Sequence, residues 1–172
     1  MYQREKAVEY ATKWWNKRNP DFYNFDKLGG DCTNFVSQCL FYGGIPMNYS
    51  YLGWYYNNLN SRSPSWAGVN EFYTFSTTNH TSLGMKAKQV DMQKVNVGDV
   101  LQIMQIGEST FHHTLLITKI DDIRDYEHIF LTGHSYDVFN VPISHYRVKE
   151  IRFLKVLNWK FEKISKKIIK NR

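Results

Sequence analysis

The sequence is poor in cysteine: only Cys32 and Cys39 occur among its 172 residues. If the segment between them is helical, the two residues are about 10.5 Å apart along the helix axis, which is too far for a disulfide bond. The two cysteines therefore fit a reducing compartment or a reactive thiol better than a small scaffold stapled by disulfides. Each cysteine must then be present for another reason, either as a small buried apolar residue or as a reactive group.

Long apolar runs are also missing. No segment approaches the roughly 20 residues needed to cross a bilayer, and the N-terminal MYQREKAVEY lacks the uninterrupted apolar region of a secretory signal. We therefore expect no transmembrane segment. The default location is the cytoplasm, and the alternative is a secreted or wall-associated protein whose signal has been removed.

Acidic residues are outnumbered, with 16 Asp and Glu against 22 Lys and Arg, which gives a net charge of +6. Much of the excess lies in the final stretch NWKFEKISKKIIKNR. A positive surface attracts polyanions without distinguishing among them, so no specific nucleic acid is predicted. A length of 172 residues fits one core, and a hydrophobic content of 42% argues against a disordered chain. We assign one domain to residues 1–157 and a basic helix or tail to residues 158–172.

Hydrophobic periodicity predicts helices in the first half of the chain and strands in the second. Helices are expected over residues 3–17 and 32–42, with a long loop over 46–65 and a short helix near 66–72. The predicted strands are DVLQIMQI, HTLLITKI, HIFLTGH and the stretch from Tyr146 to Leu157. Helices followed by a run of strands indicate an α+β domain rather than a wound α/β sheet.

Cys32 is the candidate nucleophile because it begins a predicted helix directly after Gly-Gly-Asp. Unsatisfied backbone N–H groups and the helix dipole favour negative charge there, so we expect a lowered thiol pKa. Cys39 lies two turns further on among apolar residues, where a buried core role is expected.

A cysteine nucleophile needs a base, and the strand HTLLITKI begins with His113. The adjacent His112 faces the other side of the strand, and alternation alone does not decide between the two. The third residue, which would orient the base, is predicted to be His134 near the end of the next strand, with Asp137 as the competitor.

Asp137 is also a candidate substrate contact, and four further residues share that prediction. Asp31 is expected either to bind a substrate amine or to cap the helix, and Asn34 either to bind substrate or to hold neighbouring loops. Trp54 and Trp66 would either form a platform for substrate or cover the core.

The runs GGDCTNFVSQCLFYGG, SPSWAGVNEFYTF, VGDVLQI, HHTLLITKI and LTGHSYD resemble the putative amidase domain family of Gram-positive bacteria. That family is similar to the NlpC/P60 and CHAP hydrolases. The likeness covers about residues 3–150. It implies a papain-like fold of N-terminal helices on an antiparallel sheet, with the nucleophile at a helix N-terminus. It also implies that Cys32 is the nucleophile, His113 the base and His134 the residue that orients the base, with Asp137 still in competition.

The expected function is therefore amide hydrolysis through a thioester, by a monomer acting on a peptide or another amide, with peptidoglycan among the candidates. No metal or cofactor is expected, since the spacing of Cys32, His113 and His134 matches no compact zinc pattern. Two alternatives stay open: a catalytically silent module that binds an anionic polymer, and an acyl transferase.

Overall fold

The computed structural model describes residues 1–158. Its first half contains two long helices, α1 over Arg4–Trp14 and α2 over Cys32–Tyr42. The apolar stripe of α1 buries Ala7, Tyr10 and Ala11, as the spacing predicts. Nine of the eleven residues of α2 are buried, including its polar members. The second helix is therefore a central element, and its polar side chains must find partners inside the protein.

Between α2 and the main sheet, the chain forms a small hairpin and two short helices. The hairpin pairs β1 (Tyr56–Asn58) with β2 (Ser61–Arg62). Helix α3 (Pro64–Ala67) and helix α4 (Val69–Thr78) follow, separated by Gly68, whose extended backbone interrupts the helix. The loop predicted over 46–65 is thus largely irregular but contains this hairpin, and the predicted short helix is two helices.

Six antiparallel strands form the main sheet, in the order β3-β8-β4-β5-β6-β7. The strands are β3 Ala87–Val90, β4 Val100–Gln105, β5 His113–Ile120, β6 Ile129–Gly133, β7 Val138–Pro142 and β8 Val148–Val156. Short 3₁₀ helices occur at Met92–Lys94 and Ile143–His145. Helices segregated from an antiparallel sheet confirm the α+β class, while strands β3 and β7 were not predicted.

The sheet separates two hydrophobic clusters, because successive side chains of a strand point to opposite faces. One cluster joins α1 and α2 to Val100, Leu116 and Leu154. The other contains Leu101, Ile103, Leu115, Ile117, Leu131 and Phe153. Helix α2 therefore covers one face of β5, and its N-terminus lies where β5 begins.

The prediction of a basic C-terminal helix or tail falls, beyond Asn158, outside the described residues. Asn158 itself accepts a hydrogen bond from the backbone N–H of Tyr2. Within residues 1–158, no helix has the length and apolar character required to cross a bilayer.

Candidate active site

Cys32 and His113 line the same cleft, which has a volume of about 860 Å³. Each is the first residue of its element, Cys32 of α2 and His113 of β5. Contact between α2 and β5 brings these two ends together. The cleft is also lined by Arg18, Asp26, Gly29, Gly30, Val69, Asn70, Glu108, Thr110, Phe111, His112, Ser135, Tyr136 and Asp137.

The thiol of Cys32 sits over the backbone at the start of β5. Its Sγ donates to the carbonyl oxygen of His112 at 3.6 Å and lies 3.8 Å from Oγ1 of Thr33. Burial raises the pKa of this thiol, against hydrogen bonds from Thr114 and Thr33 that lower it, and the neighbouring Asp31 carboxylate raises it further. The expected lowering of the thiol pKa is therefore wrong, because burial of Cys32 raises it.

Cys39 has no exposed surface, and burial raises its pKa well above the ordinary value. Both thiols are free. Cys39 therefore takes the core role that its apolar neighbours predict.

The imidazole of His113 lies near two tyrosine rings, with its centroid 5.8 Å from that of Tyr136 and 6.2 Å from that of Tyr146. Burial lowers the pKa of His113, while the carboxylate of Glu108 acts in the opposite direction. The neighbouring His112 is more than half exposed, and its Nδ1 lies 3.5 Å from Oε1 of Glu108. Of the two histidines, His113 is the one held inside the protein.

His134 is bound on both ring nitrogens by groups other than His113. Its Nδ1 lies 2.6 Å from Oδ2 of Asp31, and its Nε2 lies 2.8 Å from the carbonyl oxygen of Trp14. A carbonyl oxygen can only accept, so Nε2 carries a proton, and a second proton lies between Nδ1 and the carboxylate. The ring also stacks on Phe35, with centroids 3.9 Å apart. Both ring nitrogens of His134 are thus engaged by Asp31 and Trp14, so the structure shows no hydrogen bond from His134 to the predicted base His113.

Asp31 neither caps α2 through its side chain nor faces the cleft. Its Oδ1 accepts hydrogen bonds from the backbone N–H of Phe25 and from the side-chain amide of Asn34, both at 2.9 Å. Its side chain is 1% exposed. Both carboxylate oxygens of Asp31 are thus bound by groups of the protein itself, so they are not available to a substrate amine in this structure.

The other predicted substrate contacts on this side are also core residues. Trp66 donates from Nε1 to Oδ1 of Asn34 at 2.8 Å, and Trp54 donates from Nε1 to Oγ of Ser37 at 3.1 Å. Both tryptophans have no exposed surface. Trp54 and Trp66 are therefore buried core residues. Asn34 binds neighbouring segments through Trp66 and the backbone of Tyr23.

Asp137 does lie in the cleft, where its Oδ1 accepts from Nη2 of Arg18 at 2.8 Å. The same guanidinium binds Asp26 at 2.8 Å, and its Nε lies 3.6 Å from Asp31. Sequence patterns did not single out Arg18, Tyr136 or Tyr146, since each depends on contacts between distant segments. The described residues contain no group of three His, Cys, Asp or Glu arranged to hold a metal ion.

A second cleft of about 510 Å³ meets the first at Cys32. The two clefts share Gly29, Gly30, Cys32 and Val69. The second is otherwise lined by Phe25, Leu28, Arg62, Ser63, Pro64, Ala67, Gly68 and Glu71. Cys32, which is 5% exposed, is therefore one of the residues at which the two clefts meet.

The fold and the cleft define an α+β protein with a free thiol and an imidazole at the adjoining ends of a helix and a strand. The chain belongs to the putative amidase domain family, whose model matches residues 1–157. Membership of this family indicates, in general terms, a hydrolase that acts on C–N bonds.

Two relatives come from Bacillus subtilis (strain 168). The uncharacterized protein YhbB is 36% identical over 125 residues, which is 70% of this chain and 38% of YhbB. The uncharacterized protein YjcM is 26% identical over 159 residues, which is 87% of this chain and 34% of YjcM. The chain thus spans little more than a third of the length of these relatives. No solved structure matches it.

Proposed function

We propose that this protein is a papain-like cysteine amidase or peptidase in which Cys32 is the nucleophile and His113 the general base and acid. The observation that carries the proposal is that Cys32 and His113 line one cleft at the adjoining ends of α2 and β5. A nucleophile and a base on rigid elements in one open cleft are what acyl transfer requires.

The resting pair is a neutral thiol and a neutral imidazole, because burial raises the pKa of Cys32 and lowers that of His113. Proton transfer from sulfur to imidazole then accompanies attack on the amide carbonyl. The C–S bond forms, His113 gives the proton to the departing amine nitrogen, and the C–N bond breaks. Water, activated by the same imidazole, then hydrolyses the thioester.

The first turn of α2 supplies the donors for the negatively charged oxygen that forms during attack. The backbone N–H of Cys32 is among the first four of the helix, which have no partner within the helix. An N–H group at this position, together with the positive end of the helix dipole, stabilises an oxyanion next to the sulfur.

In this proposal His134 is a positioning residue that acts through Asp31. The buried pair of His134 and Asp31 fixes the residue immediately before Cys32, and Asp31 in turn holds Asn34 in the first turn of α2. The pair also ties β6 to the end of α1 through Trp14. Its effect on catalysis is therefore to hold the sulfur in place.

The substrate proposed is an amide that carries substantial groups on both sides of the reacting carbonyl, because clefts extend from Cys32 in two directions. Peptides and the peptide part of peptidoglycan have this shape. Transfer of the acyl group to an amine would use the same first step and differ only in the second nucleophile.

A digest identifies the bond. Purified cell wall and peptide libraries are incubated with wild type, with Cys32→Ala and with Cys39→Ala, and the product masses are measured. We expect cleavage by wild type and Cys39→Ala and none by Cys32→Ala. Cleavage by Cys32→Ala at the wild-type rate would contradict the proposal, and so would a wild type that cleaves no amide in either material.

A further inference from the structure

Residues 134–137 connect β6 to β7 and form one wall of the larger cleft. Two of these four residues bind Asp31, which precedes the nucleophile, and a third binds Arg18 in the cleft. His134 binds Asp31, Oγ of Ser135 accepts the backbone N–H of Asp31 at 2.9 Å, and Asp137 binds Arg18. The fourth residue, Tyr136, is 77% exposed.

The backbone of this turn adopts conformations that side-chain-bearing residues rarely take. Ser135 has φ of 77° and Asp137 has φ of 38°, both in the left-handed region. Such conformations cost free energy, persist only where surrounding contacts hold them, and concentrate at functional sites. Here the contacts to Asp31 and Arg18 hold the two residues on either side of Tyr136.

The turn presents Tyr136 beside the imidazole of His113, with ring centroids 5.8 Å apart and the tyrosine lining the cleft. An aromatic ring exposed to solvent is normally unremarkable when it stands alone on a surface. This ring instead projects from a strained turn anchored on both sides, next to the proposed base.

The proposed reaction decides which part of a substrate would meet this ring. His113 must reach the amine nitrogen in order to protonate it, so the amine portion of the substrate lies on the His113 side of the sulfur. Tyr136 is on that side. We propose that Tyr136 is a specificity-determining residue that packs against the group attached to the departing amine and favours amines with a large apolar or aromatic substituent. This rests on the proposed function of Cys32 and His113.

The proposal can be tested without the natural substrate, because an amine that captures the acyl-enzyme occupies the same place as a departing amine. In that step the amine nitrogen attacks the thioester carbon, the C–N bond forms and the C–S bond breaks. His113 accepts the amine proton and passes it to the sulfur. Preference among amines therefore reports the environment around Tyr136 and is independent of the acylation rate.

The experiment acetylates the full chain with p-nitrophenyl acetate in the presence of phenylalanine amide or glycine amide, and measures the N-acetyl products against free acetate. Wild type should favour phenylalanine amide by about 10-fold. Tyr136→Ala should lower this preference to about 1, and Tyr136→Phe should retain it. Tyr51→Ala is the matched control, since Tyr51 is 94% exposed and does not line the cleft; its preference should equal that of wild type.

The outcomes are distinguishable. If Cys32 is acetylated but wild type shows no preference, or Tyr136→Ala keeps the wild-type preference, the role of Tyr136 is overturned while the proposed function stands. If Cys32 is not acetylated at all, both are overturned.

Discussion

The Nδ1 atom of His134 lies 2.6 Å from Oδ2 of Asp31, and both side chains are 1% exposed. These residues are 103 positions apart in the chain, and their contact joins the end of strand β6 to the residue that precedes Cys32. A buried ionisable pair of this kind depends on both partners, because either one alone is left buried without compensation.

Breaking this pair should therefore destabilise the protein strongly. We expect His134→Leu or Asp31→Asn alone to lower the free energy of unfolding by about 3 to 5 kcal/mol, as measured by urea denaturation. The double variant should cost less than the sum of the single variants, which a double-mutant cycle measures directly.

The chain offers a matched control for that cycle. His128 and Asp125 form a pair of similar length, 2.7 Å, but both side chains are well exposed. His128→Leu should leave the urea midpoint unchanged, because solvent screens the pair. If His128→Leu and His134→Leu lowered the free energy of unfolding equally, burial would not be the reason for the strong effect at His134.

The two adjacent histidines should differ sharply in their effect on the reaction. Loss of the general base in His113→Ala should slow acylation of Cys32 by about 100-fold or more. His112→Ala should retain most of the rate, because that imidazole is largely exposed and it is the backbone carbonyl of His112 that contacts Cys32. Stopped-flow release of p-nitrophenol measures both variants, and the reverse ranking would assign the base to His112.

The pH dependence follows from the burial of His113. Its pKa is lowered from the ordinary value of 6.5, and only the neutral imidazole can accept the thiol proton. The acylation rate should therefore stay high as pH falls through 6.5 and decline only below it, as the imidazole becomes protonated. A pH profile of the acylation rate with its acid midpoint above 6.5 would disagree.

Replacing Trp66 should affect stability rather than substrate binding. Trp66→Phe removes the indole N–H that Asn34 accepts, so a buried oxygen loses its partner at a cost of about 1 to 3 kcal/mol. The control is Trp15→Phe, whose ring stacks on Phe139 near the surface and should cost less. If instead Trp66→Phe keeps full stability and raises KM, the indole would be a substrate platform.

Much of the fold is predictable from local pattern. Helix α2 begins and ends where its apolar period and Gly43-Gly44 indicate, and four of the six strands of the main sheet carry dense β-branched runs. The missed strands, β3 and β7, are the two edges of that sheet. Edge strands are short and polar and tolerate proline, as Pro142 in β7 shows, so their sequences resemble loops.

The site is predictable only in part, for a physical reason. The start of a helix and the start of a strand are local features, so sequence pattern selects Cys32 and the adjacent pair His112 and His113. The choice of His113 within that pair comes from the family resemblance. The partner of His134 depends on packing between β6 and the N-terminus of α2, which no local spacing encodes. The shift in the pKa of Cys32 likewise depends on how deeply the helix start is buried, and here burial raises that pKa.

The most direct test of the central claim is the intact mass of the protein, followed by peptide mapping, after brief treatment with p-nitrophenyl acetate and an acid quench. We predict a single acetyl group on Cys32 in wild type and in Cys39→Ala, strongly reduced in His113→Ala and missing in Cys32→Ala. Acetylation that does not involve Cys32, or that proceeds equally well without His113, would contradict a nucleophile and base formed by these two residues.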